Sequence, residues 1–208
     1  MQANDSGDTP VKPRLYNTQR CPYARRTRIV LHEKGMDFET HEVDLANKSE
    51  EFLSVSPTGK VPVIVVDGES IYESNVVNQY LDEVTDEPKL MPEDPRRRAH
   101  ARIWMALADT DFFPAVFAAS VGRERGFSEA RISEGLEKLK TTLQKLDERL
   151  EGRDYLADEF SLADVAYAGN FVRLRELEER DEVSIEKYPN VAAWMERMEG
   201  RDSYEAAV

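Results

Sequence analysis

Cysteine is almost absent: Cys21 is the single one in 208 residues. One thiol closes no internal disulfide and is too few for a cysteine-rich zinc site. A reducing compartment suits such a chain, and a cytoplasmic location is expected. Histidine is scarce as well. His32, His41 and His100 form no close pair in sequence, so no metal cofactor is expected. Basic residues are outnumbered 28 to 41, leaving a net charge of -13. Phosphate backbones and anionic membranes attract an excess of Lys and Arg, so neither nucleic acid nor a membrane is an expected partner. No apolar run approaches the roughly 20 residues of a spanning helix. The polar opening residues lack the apolar stretch of a secretory signal, and no repeat period is visible. The composition is 40% hydrophobic and 33% charged, enough for a packed core. The length suits one large domain or two small ones.

The chain changes character part-way along. Residues 1–11 read as a flexible tail. Arg14-Leu15-Tyr16 suggests a strand, and residues 22–34 have helical spacing that stops at Gly35. A strand over 38–43 and a short helix over 49–55 follow. Residues 61–66 form a β-branched strand, and Asp67-Gly68 turns it into Ile71-Tyr72 as a hairpin. A helix from Ser74 carries Val76, Val77, Tyr80, Leu81 and Val84. Residues 12–85 therefore read β-α-β-α-β-β-α. Residues 86–94 read as a proline-marked linker with few residues able to pack. Residues 95–208 read as helical throughout. Pro114 predicts a kink. Ile132, Leu136, Leu139, Leu143, Leu146 and Leu150 form one stripe. Ser161 and Asp164 have capping-box spacing. Val191, Trp194, Met195 and Met198 mark a final helix. The fold class is a small α/β domain followed by an all-α domain.

Three constellations carry chemistry. Cys21 follows a strand and loop, and Pro22 suits the first turn of the next helix. The unpaired N–H groups and macrodipole there favour an anion, and Arg20, Arg25 and Arg26 add positive charge, so a reactive thiolate is expected. The alternative is a buried, inert cysteine. Position 24 is Ala24, so no two-cysteine cycle exists, and any mixed disulfide on Cys21 needs an external thiol to resolve it. The second constellation is Gly59-Lys60-Val61-Pro62-Val63. A cis Pro62 would turn the Val61 backbone outward to pair with a peptide-like ligand, whereas a trans proline on an edge strand serves none. The third is Glu73-Ser74, where Ser74 would cap a helix able to hold a carboxylate and Glu73 could hold an amine, the alternative being an ordinary N-cap beside a solvated Glu.

Taken in order, Cys21-Pro22-Tyr23-Ala24, Lys60-Val61-Pro62-Val63, Glu73-Ser74, the proline linker and Ser161-x-x-Asp164 resemble the cytosolic glutathione S-transferase superfamily from about Lys12 onward. The cysteine box is most similar to the cysteine-type, omega-like class and its bacterial members, although Arg20 stands where those often carry an aromatic residue. The resemblance implies a thioredoxin-like N-terminal domain, a cis Pro62 and glutathione as co-substrate. Val61 would pair with its cysteinyl part, Glu73 and Ser74 would hold its γ-glutamyl end, and Lys60, or more weakly Lys48, its glycyl carboxylate. Cys21 would form a mixed disulfide with glutathione during thiol transfer, dehydroascorbate reduction or reductive deglutathionylation. Tyr16 is the runner-up catalytic group, with packing as its alternative role. The pocket for a small electrophilic or disulfide substrate would lie between the domains, with Trp104, Met105, Ala108, Phe112 and Phe113 as candidates or as helix packing. A homodimer is implied. Two other activities fit the same features: conjugation of glutathione to electrophiles, and a non-enzymatic regulatory role like that of stringent starvation protein, which Leu90-Met91-Pro92 suggests.

Overall fold

The computed structural model describes residues 12–86 and 88–208; the tail expected over residues 1–11 lies outside them. Four short strands form the sheet: β1 (Arg14–Asn17), β2 (Glu39–Glu42), β3 (Val63–Val66) and β4 (Glu69–Tyr72), in the order β2-β1-β3-β4. β1 and β2 run parallel, joined across the sheet by α1 (Pro22–Glu33), and the other pairs are antiparallel. Side chains alternate across the sheet. Leu15 and Ile64 face a core with Ile29, Val30 and Leu31 of α1 and with Val77 and Leu81 of α3 (Ser74–Val84). Tyr16, Val63 and Val65 face the other side and pack with Val43 and with Phe52 of α2 (Glu50–Val55). β2 reads Glu-Thr-His-Glu and is largely exposed, because it is a charged edge strand. Asp67 and Gly68 both have positive φ (52° and 83°), as a tight hairpin requires.

Beyond the sheet every element is helical: α4 (Pro95–Leu107), α5 (Phe113–Val121), α6 (Glu129–Leu150), α7 (Leu162–Ala168), α8 (Phe171–Glu179), α9 (Pro189–Glu199) and α10 (Asp202–Ala207), with a 3-10 turn at Ile185–Lys187. α10 had no counterpart in the sequence reading. The break expected at Pro114 is real but lies before it: α4 runs through a π-helical turn, Ala108–Phe112, into α5. Proline cannot donate to the carbonyl of Thr110 four residues earlier; Lys138 Nζ donates to that carbonyl instead, at 3.3 Å. Of the α6 stripe, Ile132, Leu139, Leu143, Leu146 and Leu150 are buried and Leu136 is half-buried. Among the described residues no helix is long and apolar enough to cross a membrane.

The linker packs more than its composition suggested. Leu90 is buried, its N–H donates to Asp82 of α3 (2.7 Å) and its carbonyl accepts from Leu162 N (2.8 Å). The larger seam is made by α1. Arg25 Nη1 donates to Gly169 O at 2.8 Å and Arg26 Nε to Ala166 O at 2.7 Å, so two guanidiniums meet the carbonyl end of α7, where positive charge is favoured. Arg28 donates to Ala207 O of α10 through Nε and Nη2. Backbone meets backbone at Gly169: a Cβ there would lie 2.3 Å from Pro22 O.

Candidate functional site

Cys21 is the N-cap of α1, in extended conformation, with Pro22 in the first turn and no side-chain capping bond. Its thiol is partly exposed and lies 4.0 Å from the Val61 carbonyl oxygen, across the turn before β3. The bond between Val61 and Pro62 is cis. β3 begins at Val63 instead of Val61, which leaves Val61 and Pro62 outside the ladder.

The arginines around the thiol are used differently from the expectation. Arg26 is fully buried and bonded to Ala166 O and Asp109, so it is an internal strut. Arg25 is also buried and committed to Gly169 O. Arg20 is exposed. The guanidiniums that attract a charged Cys21 are Arg25, Arg28 and Arg173. Burial lowers the pKa of all three, that of Arg28 to about 10, and the sulfur pulls each the other way. Two of these three, Arg28 and Arg173, were not among the sequence candidates. Arg173 belongs to α8, 152 positions along the chain, and no local pattern announces it.

A hollow of about 380 Å3 brings together Lys60, Val61, Pro62, Glu73 and Ser74 with Tyr23, Thr58, Tyr72, Asn75 and Asp109. Ser56 Oγ clasps Lys60, accepting from its N–H (3.1 Å) and donating to its carbonyl (2.9 Å). Lys48 does not line the hollow; its ammonium lies over Gly59, 3.3 Å from where a Cβ would stand. Ser74 does not cap α3. The N-cap is Glu73, with φ of 68°, and Ser74 is the first helical residue. A left-handed Glu73 turns the chain so sharply that the Ser74 hydroxyl meets Arg26 Nη1 at 3.4 Å instead of the helix end. Asp109, which the sequence did not single out, ties this corner to the helical domain. One oxygen accepts from Arg26 Nη1 (2.7 Å), the other from Asn75 Nδ2 (2.8 Å).

A second cleft, of about 510 Å3, opens on the other side of Cys21, between the domains. It is lined by Thr18, Arg20, Cys21, Pro22, Tyr23, Leu45, Phe113, Pro114, Phe117, Arg125, Asn170 and Arg173. Tyr23 lines both hollows, its ring centroid 4.3 Å from that of Phe113. Of the five residues proposed for this pocket only Phe113 reaches it. Met105 of α4 and Ala108 and Phe112 of the π-helical turn are buried in the core, Trp104 packs against its edge, and Phe113 belongs to the same core while also lining the cleft. Tyr16 lines neither hollow. It is on the opposite sheet face, donates to Glu51 Oε1 at 2.7 Å and stacks on His41. Burial first, and Glu51 next, raise its pKa. Ser161 and Asp164 form the capping box of α7, remote from both hollows. Among the described residues no group of three or more His, Cys, Asp or Glu is placed to hold a metal ion.

Two family models match the chain: glutathione S-transferase, N-terminal domain, over residues 20–84, and glutathione S-transferase, C-terminal domain, over residues 129–197. Glutathione S-transferase U28 of Arabidopsis thaliana is 34% identical over 191 residues, covering 90% of this chain and 84% of that one. The crystal structure of glutathione transferase Omega 3C from Trametes versicolor superposes with a TM-score of 0.84 at 27% identity, over 96% of this chain and 90% of that one. A glutathione S-transferase from Methylobacillus flagellatus, solved with glutathione bound, gives a TM-score of 0.79 at 32% identity, over 95% and 99% of the two chains.

Proposed function

The chain belongs to the glutathione S-transferase family, and from that premise we propose that it binds glutathione in the hollow of Lys60, Val61, Glu73 and Ser74 and transfers thiols through Cys21, as omega-like, cysteine-type members do. The observation that carries this reading is the position of the thiol. Cys21 lines the interdomain cleft, and its sulfur lies 4.0 Å from the carbonyl of Val61, which lines the other hollow. A nucleophile at that junction meets a sulfur held on one side and a leaving group on the other.

In the proposed cycle the Cys21 thiolate attacks the glutathionyl sulfur of a substrate–glutathione mixed disulfide. The S–S bond breaks, and the substrate leaves as a thiolate that takes a proton from water. A second glutathione thiolate then attacks the Cys21–glutathione disulfide, releasing oxidised glutathione and the Cys21 thiolate. The two steps are thiol–disulfide exchanges: the substrate sulfur returns to the thiol, the glutathionyl group it carried stays at the disulfide level, and the one incoming glutathione is oxidised in its place. Lys60 serves the glycyl carboxylate as a point charge, and Glu73 the γ-glutamyl amine.

Cys21→Ser tests the role of the thiol. Thiol transfer is expected to fall by about two orders of magnitude or more, and the adduct formed by wild-type protein with oxidised glutathione, read by mass spectrometry, is expected to disappear. Unchanged reductase activity in the variant excludes Cys21 as the nucleophile. A second reading, conjugation of glutathione to electrophiles, is favoured by the similarity to the plant transferase U28. It is the better account if the variant keeps its rate with an electrophilic acceptor while wild type reduces no mixed disulfide.

We also propose a homodimer. Tyr72 of β4, which lines the first hollow, Val76 and Val84 of α3 and Ile103 of α4 are 37–54% exposed apolar side chains, and a second copy of the chain would cover them.

A further inference from the structure

The cleft beside Cys21 has an apolar floor and a cationic rim. Leu45 and Phe117 line it and are 45% and 37% exposed, among the few large apolar side chains left open to water. Phe113 completes the floor. Flat apolar area of this kind suits a planar body.

The rim holds Arg20, Arg125 and Arg173. Among the described residues none of the three makes an ion pair with a carboxylate. Arg173 is half-buried with its guanidinium carbon 5.6 Å from the centroid of Phe117, so its charge sits over the apolar floor. Burial first, and then Arg125, disfavour the charge on Arg173; Glu176, the Cys21 sulfur and Glu124 offset part of this from the same neighbourhood. The chain as a whole is strongly acidic, at -13, so three unpaired guanidiniums on one cleft are a local reversal of sign. Salt screens the distant acidic surface, and an anion in the cleft feels mainly its own rim.

Asn170 points to the same kind of ligand independently. It lines the cleft, is 1% exposed, and neither its Nδ2 nor its Oδ1 has a hydrogen-bond partner. A buried amide without partners is unfavourable, and a ligand oxygen accepting from Nδ2 removes that penalty.

We infer that the cleft takes a planar apolar acid, its flat body against Phe113 and Phe117 and its carboxylate met by Arg125, Arg173 and Asn170. The inference rests on reading this cleft as the acceptor side of the site, and it assigns the acceptor a class, an aromatic or similarly flat carboxylate, in place of a neutral or cationic compound. Arg125, Arg173 and Asn170 thereby become the residues that set specificity.

The experiment is a calorimetric titration of the full-length protein with 2-naphthoate and with its methyl ester, which keeps the flat body and removes the charge. It is run with and without millimolar glutathione. Wild type is expected to bind the acid about tenfold or more tightly than the ester. Arg125→Gln, an exposed change, is expected to reduce that ratio several-fold, and Arg125→Gln with Arg173→Gln to abolish it. Asn170→Ala is expected to weaken the acid more than the ester. Equal affinities for acid and ester in wild type, or an unchanged ratio in the folded Arg125→Gln and double variants, overturn the inference. Titration of glutathione alone is read separately: a chain that binds naphthoate selectively but not glutathione overturns the proposed function and upholds the acidic acceptor.

Discussion

Lys60 owes its place to Ser56, whose hydroxyl holds the Lys60 backbone on both its N–H and carbonyl sides. The ammonium itself is left to the hollow. Replacing it should therefore weaken ligand binding without loosening the fold. Lys60→Ala is expected to raise KM for glutathione about three- to tenfold, as the loss of one partly exposed charge-assisted contact does, with kcat within twofold and an unchanged melting temperature. A fall in kcat with KM preserved would place Lys60 outside the binding site. The contrast with Asp109 and Asn170 is instructive. Cys21, Lys60, Val61, Pro62, Glu73 and Ser74 lie in short segments with recognisable types and spacing, so they could be singled out from their neighbours alone. Asp109, in the π-helical turn, and Asn170, the N-cap between α7 and α8, have local sequences that give no reason to select them. Only folding brings Asp109 to Asn75 and Arg26, and Asn170 to the cleft beside Cys21. The same cause misdirected the reading of Arg25 and Arg26. Next to a cysteine in sequence they look like activators of a thiol, yet on a helix their side chains reach α7.

α7 is short, and its capping box does much to hold it. Asp164 accepts from the N–H of Ser161 and of Leu156, from the Ser161 hydroxyl and from Trp194 Nε1, at 2.9–3.1 Å. Those donors favour the carboxylate, but complete burial outweighs them and raises its pKa from 3.8 to about 6. Between those two values the folded chain keeps a proton that the unfolded chain releases, so this group's contribution to stability falls as pH rises from about 4 to 6. Two units correspond to ~3 kcal/mol as an upper figure. Urea unfolding at pH 4, 5, 6 and 7 checks it. Wild type minus Asp164→Asn is expected to show that decline, the subtraction removing Glu33, whose lowered pKa works in the opposite direction. A difference that is flat or rises with pH refutes the assignment. The box itself was visible as Ser-x-x-Asp, because capping is a matter of three residues' spacing. The π-helical turn at Ala108–Phe112 was not, because a proline predicts a break without saying which turn absorbs it.

The two units meet along α1, and Cys21 stands at the N-terminus of that helix with a hollow on each side. Gly169 permits the close approach: any side chain there would strike Pro22 O. The proposed dimer bears on a different face, that of Val76 and Ile103. Sedimentation velocity is expected to find a dimer at micromolar concentration, and Val76→Glu with Ile103→Glu to yield a folded monomer, since two buried unpaired carboxylates oppose association. A wild-type monomer at tens of micromolar would refute the proposal. The order of strands and helices over residues 12–85, the division into a sheet-bearing and a helical unit and the nucleophile candidate follow from periodicity, turn residues and short motifs, all of which are local and survive in one dimension. Which arginines surround the thiol, which aromatic residues face the cleft and which fill the core depended on helices distant in sequence packing on one another. Trp104, Met105, Ala108, Phe112 and Phe113 all pack in or against one core, and of the five Phe113 alone also lines the cleft. A hydrophobic pattern states that a side chain leaves water; the packing partner decides whether it leaves for the core or for a ligand.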